Sequence, residues 1–414
     1  MNAIEHWTND PSARAAAKSF GDGSAIVETA IAIQQIPAPT FDEAQRGADV
    51  AERMRALHLA DVRTDTVGNV YGRRAGHAGR PGLLIAAHLD TVFPAGTDLT
   101  VRHDGGRIYG PGLGDNSMGV AALLHLAQAL GQADVANPGD IWFVANVGEE
   151  GLGDLRGMRA AVDRLGGQIG AAIALEGCDP NRIIHAGLGV RRYQISAAAG
   201  GGHSWSDFGS PSAIHALVRL AAKLTQIDAP KQPRSSFDIG VIEGGSSVNT
   251  IAERASLLLD LRAAAPAALD TLIRQTEQIV ADARDAEPGV AFEIETVGDR
   301  PAGSIPEQHA LAQLAQAAYL AEGLGTNYEI ASTDANIPLS RGIPAVCTTE
   351  ALGSIEAALG LSAAADEVGF VAHCRMLLSD AGAAAAEGAQ LYSTNQRFWN
   401  ERVGRDAVLD WLSV

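Results

Sequence analysis

Five short stretches carry side chains that hydrolytic chemistry uses: His88-Leu89-Asp90, Gly114-Asp115-Asn116, Gly148-Glu149-Glu150-Gly151, Glu176, and a glycine-rich loop holding His203. Strand side chains two apart point to the same side, so Asp90 can orient the His88 imidazole as a metal ligand needs. Four carboxylates sharing one pocket raise one another's pKa and destabilise the fold, a conflict that a divalent cation resolves. Imidazole together with carboxylates suits zinc or manganese, and an open coordination position lets a water ionise near neutral pH. One of the paired glutamates, Glu149 or Glu150, can then take the proton. Each motif alone has an ordinary reading: His-x-Asp at a strand end is commonly a structural hydrogen-bonded pair, and adjacent glutamates a solvated turn. Their convergence argues for a site.

The elements that must position these groups are legible as apolar runs. GLLIAAH at 82–88, DIWFVANV at 140–147 and AAIALE at 171–176 lack the alternation of a half-exposed strand and suit strands covered on both faces of a parallel sheet. Between them SMGVAALLHLAQALGQ at 117–132 has helical spacing, and its Asp-Asn-Ser start can cap exposed N–H groups. The alternation predicts an α/β core whose site lies outside the carboxyl ends of the strands, where His88, Glu149, Glu150 and Glu176 fall. From about residue 190 the order becomes strand, helix, strand, strand, helix, strand, with helices at 211–226 and 266–283 and a last strand at 290–297. That is an open-faced α+β module inserted between two halves of the core. The expected division is 1–189 with 300–414 as the metal-binding catalytic domain and 190–299 as the insert. After Pro301 the α/β pattern resumes, with a helix at 307–322, a strand at 343–348 and a long helix from about Asp366 to Leu391. No internal repeat is present.

The 414 residues are too many for one ordinary domain, and 46% hydrophobic with 19% charged residues fills sizeable cores. A formal net charge of −18 repels polyanions, which argues against nucleic acid or an anionic membrane as partner. No run approaches the ~20 apolar residues of a membrane span, so a cytoplasmic location is the expectation. Cys178, Cys347 and Cys374 are widely spaced, form no CxxC pair, and read as buried thiols. His103, His125, His185 and His215 match no ligand position.

HLDTV at 88–92, GDNSMG at 114–119, GEEGLG at 148–153 and LEG at 175–177 resemble, in order, the motifs of the aminoacylase, carboxypeptidase G and peptidase T type metallopeptidases, the M20 family. GGGHSW at 201–206 and SSVNTIAERASLLLDLR at 246–262 are similar to that family's dimerisation or lid domain. The resemblance runs from about residue 25 to about 390. It implies a metal-dependent hydrolase of C–N bonds in which His88 and Glu176 hold one metal, Asp115 bridges, and Glu150 serves a second. It also implies Glu149 as catalytic base, Asp90 as the partner of His88, and His203 as a residue that stabilises the oxyanion in a neighbouring subunit's site. Asn249 and Arg262 resemble residues that bind the substrate or its carboxylate, although Arg262 and Asp260 alternate on one strand and could pair across a sheet face. A homodimer or an assembly of dimers, and a small carboxylate-bearing substrate, follow from the same likeness.

One departure stands out. Where the family's second metal takes a histidine from Ala-His-Thr-x-Asp-Glu, this chain reads Ser362-Ala363-Ala364-Ala365-Asp366-Glu367, with Ala363 at the histidine's place. The expectation is one firmly held manganese or zinc, without the two-metal clamp on attacking and leaving atoms. That favours an activated substrate, as in the family's 5-nitroanthranilate aminohydrolase branch, which releases ammonia. The alternatives are a dinuclear peptidase or N-acyl amino acid deacylase, and a non-catalytic metal-binding relative, against which Glu149 speaks.

Overall fold

A computed structural model describes residues 23–349, apart from 78, 105–106, 134–136, 138, 178–181 and 322–324. Ala363 and the helix expected from Asp366 lie outside the described residues. The chain begins with α1 (Gly23–Gln34), α2 (Ala44–Ala56), β1 (Ala60–Thr64), β2 (Val70–Arg74), β3 (Gly82–His88), β4 (Arg102–Asp104) and β5 (Arg107–Tyr109). There follow α3 (Gly119–Gln132), β6 (Ile141–Asn146), α4 (Arg156–Leu165), β7 (Ile169–Glu176) and β8 (Arg182–Gly187). Next come β9 (Gly189–Ala199), β10 (Gly202–His203), α5 (Ala213–Leu224), β11 (Ser235–Gly244), β12 (Thr250–Ile251), β13 (Arg254–Ala263), α6 (Pro266–Ala286) and β14 (Val290–Arg300). The remainder is β15 (Gly303–Ser304), α7 (Ala310–Ala321), β16 (Asn327–Ala331), α8 (Asn336–Ser340) and β17 (Ala345–Thr349).

The chain divides into two compact units, one of Gly187–Gly303 and one of the residues on either side. In the latter, the nine-stranded sheet runs β1-β2-β6-β3-β7-β17-β8-β15, with β16 on β8. Its centre is parallel, β6 to β3 to β7 to β17, and β2 and β8 flank that centre antiparallel. Every residue of β3 and β6 is buried, as runs with no polar alternation demand. Leu123, Leu126 and Leu130 of α3 pack into the same core as Leu84, Phe143 and Ile173. Parallel register sets His88 opposite Asn146 and Thr349 opposite Glu176, so the polar residues that close these strands share one edge of the sheet.

The start of α3 differs from the sequence expectation. Leu113–Met118 is a kinked stretch in which Asp115 and Asn116 leave helical backbone angles, and α3 begins at Gly119 with Met118 at its N-cap and no side-chain cap. Asn116 Nδ2 donates to the Leu175 carbonyl at 2.8 Å, tying the stretch to the end of β7, while its buried Oδ1 receives no aligned hydrogen bond among the described residues. Gly177, just beyond, is a true packing glycine: a Cβ there would collide with the Gly114 carbonyl.

The Gly187–Gly303 unit is an antiparallel sheet ordered β11-β13-β9-β14, with α5 and α6 on one face. Ala255, Leu257, Leu259, Leu261 and Ala263 of β13 alternate into a core shared with Leu217, Leu220 and Leu272 of the two helices. Among the described residues no helix is long and apolar enough to cross a membrane.

Candidate metal centre

The end of β3 places His88 in the interior, 1% exposed, with Asp90 two residues on and fully buried. His88 Nδ1 lies 3.1 Å from the Asp90 main-chain carbonyl and 3.5 Å from its carboxylate, so the backbone rather than the carboxylate makes the closer orienting contact. This leaves Nε2 facing Asp115, whose Oδ1 is 3.1 Å away. The Asp90 carboxylate also serves the neighbouring strand end. Oδ1 accepts from the Glu149 N–H at 3.0 Å, and Oδ2 from the Glu150 N–H at 2.9 Å and from Thr40 Oγ1 at 3.0 Å. Thus one buried carboxylate couples the histidine to the glutamate pair.

His88, Glu149 and Glu150 bring one imidazole nitrogen and two carboxylate oxygens within 4.8 Å of one another. This set holds two of the four ligands read from the sequence (His88, Asp115, Glu176 and Glu150), His88 and Glu150, together with Glu149, read there as the base. Asp115 joins through its contact with His88. Glu176 joins through the charge field: burial, then the charge of Glu149, holds its carboxyl well above the usual range. Its Oε2 also accepts a long hydrogen bond from Cys347 Sγ, at 3.5 Å.

Burial, reinforced by the charges of Asp115 and Glu149, pushes Glu150 up to about 9. Asp90 goes the other way, to about 2, because the His88 contact and the two backbone N–H groups outweigh its burial. Burial opposes charge on His88 as well, yet the Asp115 and Asp90 carboxylates hold its imidazole well above the ordinary value. The donor set fits a divalent cation on a structural ground: acceptors outnumber donors here. Asp115 Oδ1 and Asp334 Oδ1 are both buried and receive no aligned hydrogen bond among the described residues.

Asp334 is the residue that sequence reading missed. It is 1% exposed, accepts from Asn146 Nδ2 at 2.7 Å, and burial with the Glu149 charge raises it to about 7. The signal was a polar cluster, Ser332-Thr333-Asp334-Ala335-Asn336, before the short helix α8. Such a cluster reads as a cap: the Thr333 N–H donates to Asn336 Oδ1 and the Asn336 N–H to the Thr333 carbonyl, both at 3.0 Å, and the Ala335 N–H donates to Thr333 Oγ1 at 3.2 Å.

His203, Asn249 and Arg262 belong to the Gly187–Gly303 unit. His203 pairs with Thr250 across the β10–β12 ladder, and the Ser204 N–H donates to the Asn249 carbonyl at 3.0 Å, so His203 and Asn249 are neighbours. The Trp205 and Ser206 N–H groups point at His203 Nδ1, at 3.2 and 3.4 Å. An acceptor at Nδ1 puts the proton of the neutral ring on Nε2, which leaves that nitrogen a donor. Arg262 is placed elsewhere, near the opposite end of β13, and its Nε donates to Asp260 at 2.6 Å. Asp260 also accepts from Arg192 at 2.9 Å, so Arg262 belongs to an ion-pair row on the sheet face.

An α/β unit with imidazole and carboxylates gathered at the carboxyl ends of parallel strands defines a metallohydrolase scaffold. The chain belongs to peptidase family M20/M25/M40, whose model matches residues 84–368. It is 26% identical over 278 residues to succinyl-diaminopimelate desuccinylase of Corynebacterium glutamicum, covering 66% of this chain and 73% of that protein. To carboxypeptidase G2 of a Pseudomonas species it is 24% identical over 273 residues, covering 61% of this chain and 63% of that protein. A tripeptidase structure from Staphylococcus aureus superposes with a TM-score of 0.67 at 22% identity, over 85% of this chain and 99% of the other, a likeness of fold. The family is metal-dependent, and this chain is a hydrolase acting on C–N bonds.

Proposed function

We propose that the chain hydrolyses a C–N bond in a small, carboxylate-bearing substrate, with Glu149 as the base and His88, Asp115, Glu176 and Glu150 as the groups that hold manganese or zinc. The observation that carries this reading is the gathering of His88, Glu149 and Glu150 within 4.8 Å at adjoining strand ends. A divalent ion bound there supplies Lewis acidity and lowers the pKa of water. Glu149, 6% exposed and fixed at its backbone by Asp90, accepts the proton of the attacking water and delivers it to the departing nitrogen. His203, with Nε2 as donor, offers a hydrogen bond to the developing oxyanion in the site of a second copy of the chain. Asn249 beside it contacts the substrate. A homodimer is part of this proposal; β11, an exposed edge strand, offers unpaired backbone groups for it.

Ala363 supports the narrower reading of one metal per chain and an aromatic amino group that departs as ammonia, as from 5-nitroanthranilate. Two relatives favour the other reading: their names describe desuccinylation and carboxypeptidase action. The deciding experiment measures metal per chain after titration with manganese and zinc. It also measures ammonia release from 5-nitroanthranilate and turnover of N-succinyl amino acids, N-acyl glutamates and dipeptides. One metal with ammonia release supports the aminohydrolase; two metals with deacylation overturn it in favour of a dinuclear deacylase.

A further inference from the structure

The turn that presents the two glutamates is held from both ends by buried carboxylates. Three consecutive amides are taken: Gly148 N–H donates to Glu43 Oε1 at 3.1 Å, and the Glu149 and Glu150 N–H groups donate to Asp90. Glu43, 5% exposed, sits just before α2 and is held in turn by Arg156, whose Nη2 donates to both of its oxygens at 2.8 and 2.9 Å. Arg156 opens α4, beyond the short helical turn Gly151–Gly153, and its guanidinium lies 4.7 Å from the centre of the Phe41 ring. On the turn side it abuts Gly148, where an added Cβ would lie 2.8 Å from both Cγ and Cζ of Arg156. Gly148 has φ +65, so a glycine is required there on conformational as well as steric grounds. The segment that carries Glu43 also carries Thr40, the donor to Asp90, and is pinned to the end of β3 by the Thr91 N–H to Ala38 carbonyl bond at 3.0 Å.

We infer that Glu43 and Arg156 are positioning residues for Glu149: the ion pair fixes Gly148, and so sets where the Glu149 carboxylate stands relative to His88. An ion pair that served only to join α2 to α4 would have no need to accept the Gly148 N–H. The inference rests on the reading of Glu149 as base, and the variants below separate the two.

Glu43→Ala and Arg156→Ala are each expected to lower kcat about 10- to 100-fold, while KM and metal content per chain stay within about twofold. The double variant is expected to be no slower than the slower single, since both act through one turn, and Glu43→Gln, which keeps the acceptor for Gly148, is expected to stay within about threefold of the parent. Hydrogen exchange gives a readout free of substrate: the Gly148–Glu150 amides exchange faster in Arg156→Ala than in the parent. Rates within threefold for both alanine variants would overturn the inference, as would losses that multiply, or kcat, KM and metal content falling together with Tm. Should Glu43→Ala not fold, Arg156→Lys carries the test, with at least a tenfold loss in kcat expected and an unchanged rate fatal. Glu149→Gln is the separate control. If it retains activity, the base reading fails whatever Glu43 and Arg156 do; if it is inactive while Arg156→Ala is not, only the positioning inference fails.

Discussion

In the larger unit Asp90, Glu149 and Asp334 are buried beside one another and beside His88, with carboxyl groups pushed upward at Glu150, Glu176 and Asp334. In the Gly187–Gly303 unit acids on the solvated surface pair with cations: Asp260 with Arg192 and Arg262, Glu287 with Arg219. The same residue types therefore meet opposite fates. Crowding like charges in a low-dielectric interior is costly, and a fold retains it where the charges have chemistry to do. Matching opposite charges on a wet sheet face costs little and contributes little.

Substitutions can break or sharpen that contrast. The largest effect is expected at Glu149→Gln, which keeps the shape and removes the base: kcat falls roughly 10³-fold with metal content unchanged, read by steady-state kinetics beside elemental analysis. Next is a control for the scaffold itself. Ile85→Ala, in the fully buried β3, is expected to cost about 2–5 kcal/mol of stability, measured by denaturant unfolding of the metal-loaded protein. Asp334→Asn tests whether the acid absent from the sequence reading belongs to the site, and a loss of about 10- to 100-fold in kcat or metal affinity is expected. Parental kinetics would confine Asp334 to a structural bond with Asn146. The smallest effect is expected at Arg262→Ala: a change below about 1 kcal/mol for a half-exposed pair, with KM unchanged. A tenfold rise in KM would return Arg262 to the substrate-binding role that family resemblance gave it, and would weaken the contrast between the units.

Much of the site was legible because its residues end apolar runs. GLLIAAH, DIWFVANV and AAIALE have no alternation, so they must be covered on both faces, and a parallel sheet then delivers His88, the Glu149-Glu150 pair and Glu176 to one edge. The βαββαβ order of the insert was legible for the same reason, since period-2 strands such as β13 alternate with period-3.6 helices. The start of α3 was misread because Asp115 and Asn116 leave helical backbone angles, with the Asn116 Nδ2 bonded to the Leu175 carbonyl, a contact that chain-local reasoning does not see.

What the sequence determined by itself is therefore the set of strands, their carboxyl-end residues and the chemistry those residue types permit, since burial pattern and side-chain chemistry are local properties. Only the tertiary structure decided which groups meet. Asp334 lies 188 positions from its partner Asn146, and Glu43 lies 105 from Gly148. Hydrogen bonds across such separations leave no periodic trace along the chain. They exist because packing the sheet between its helices closes those distances, and the same packing excludes the water that would otherwise satisfy each group.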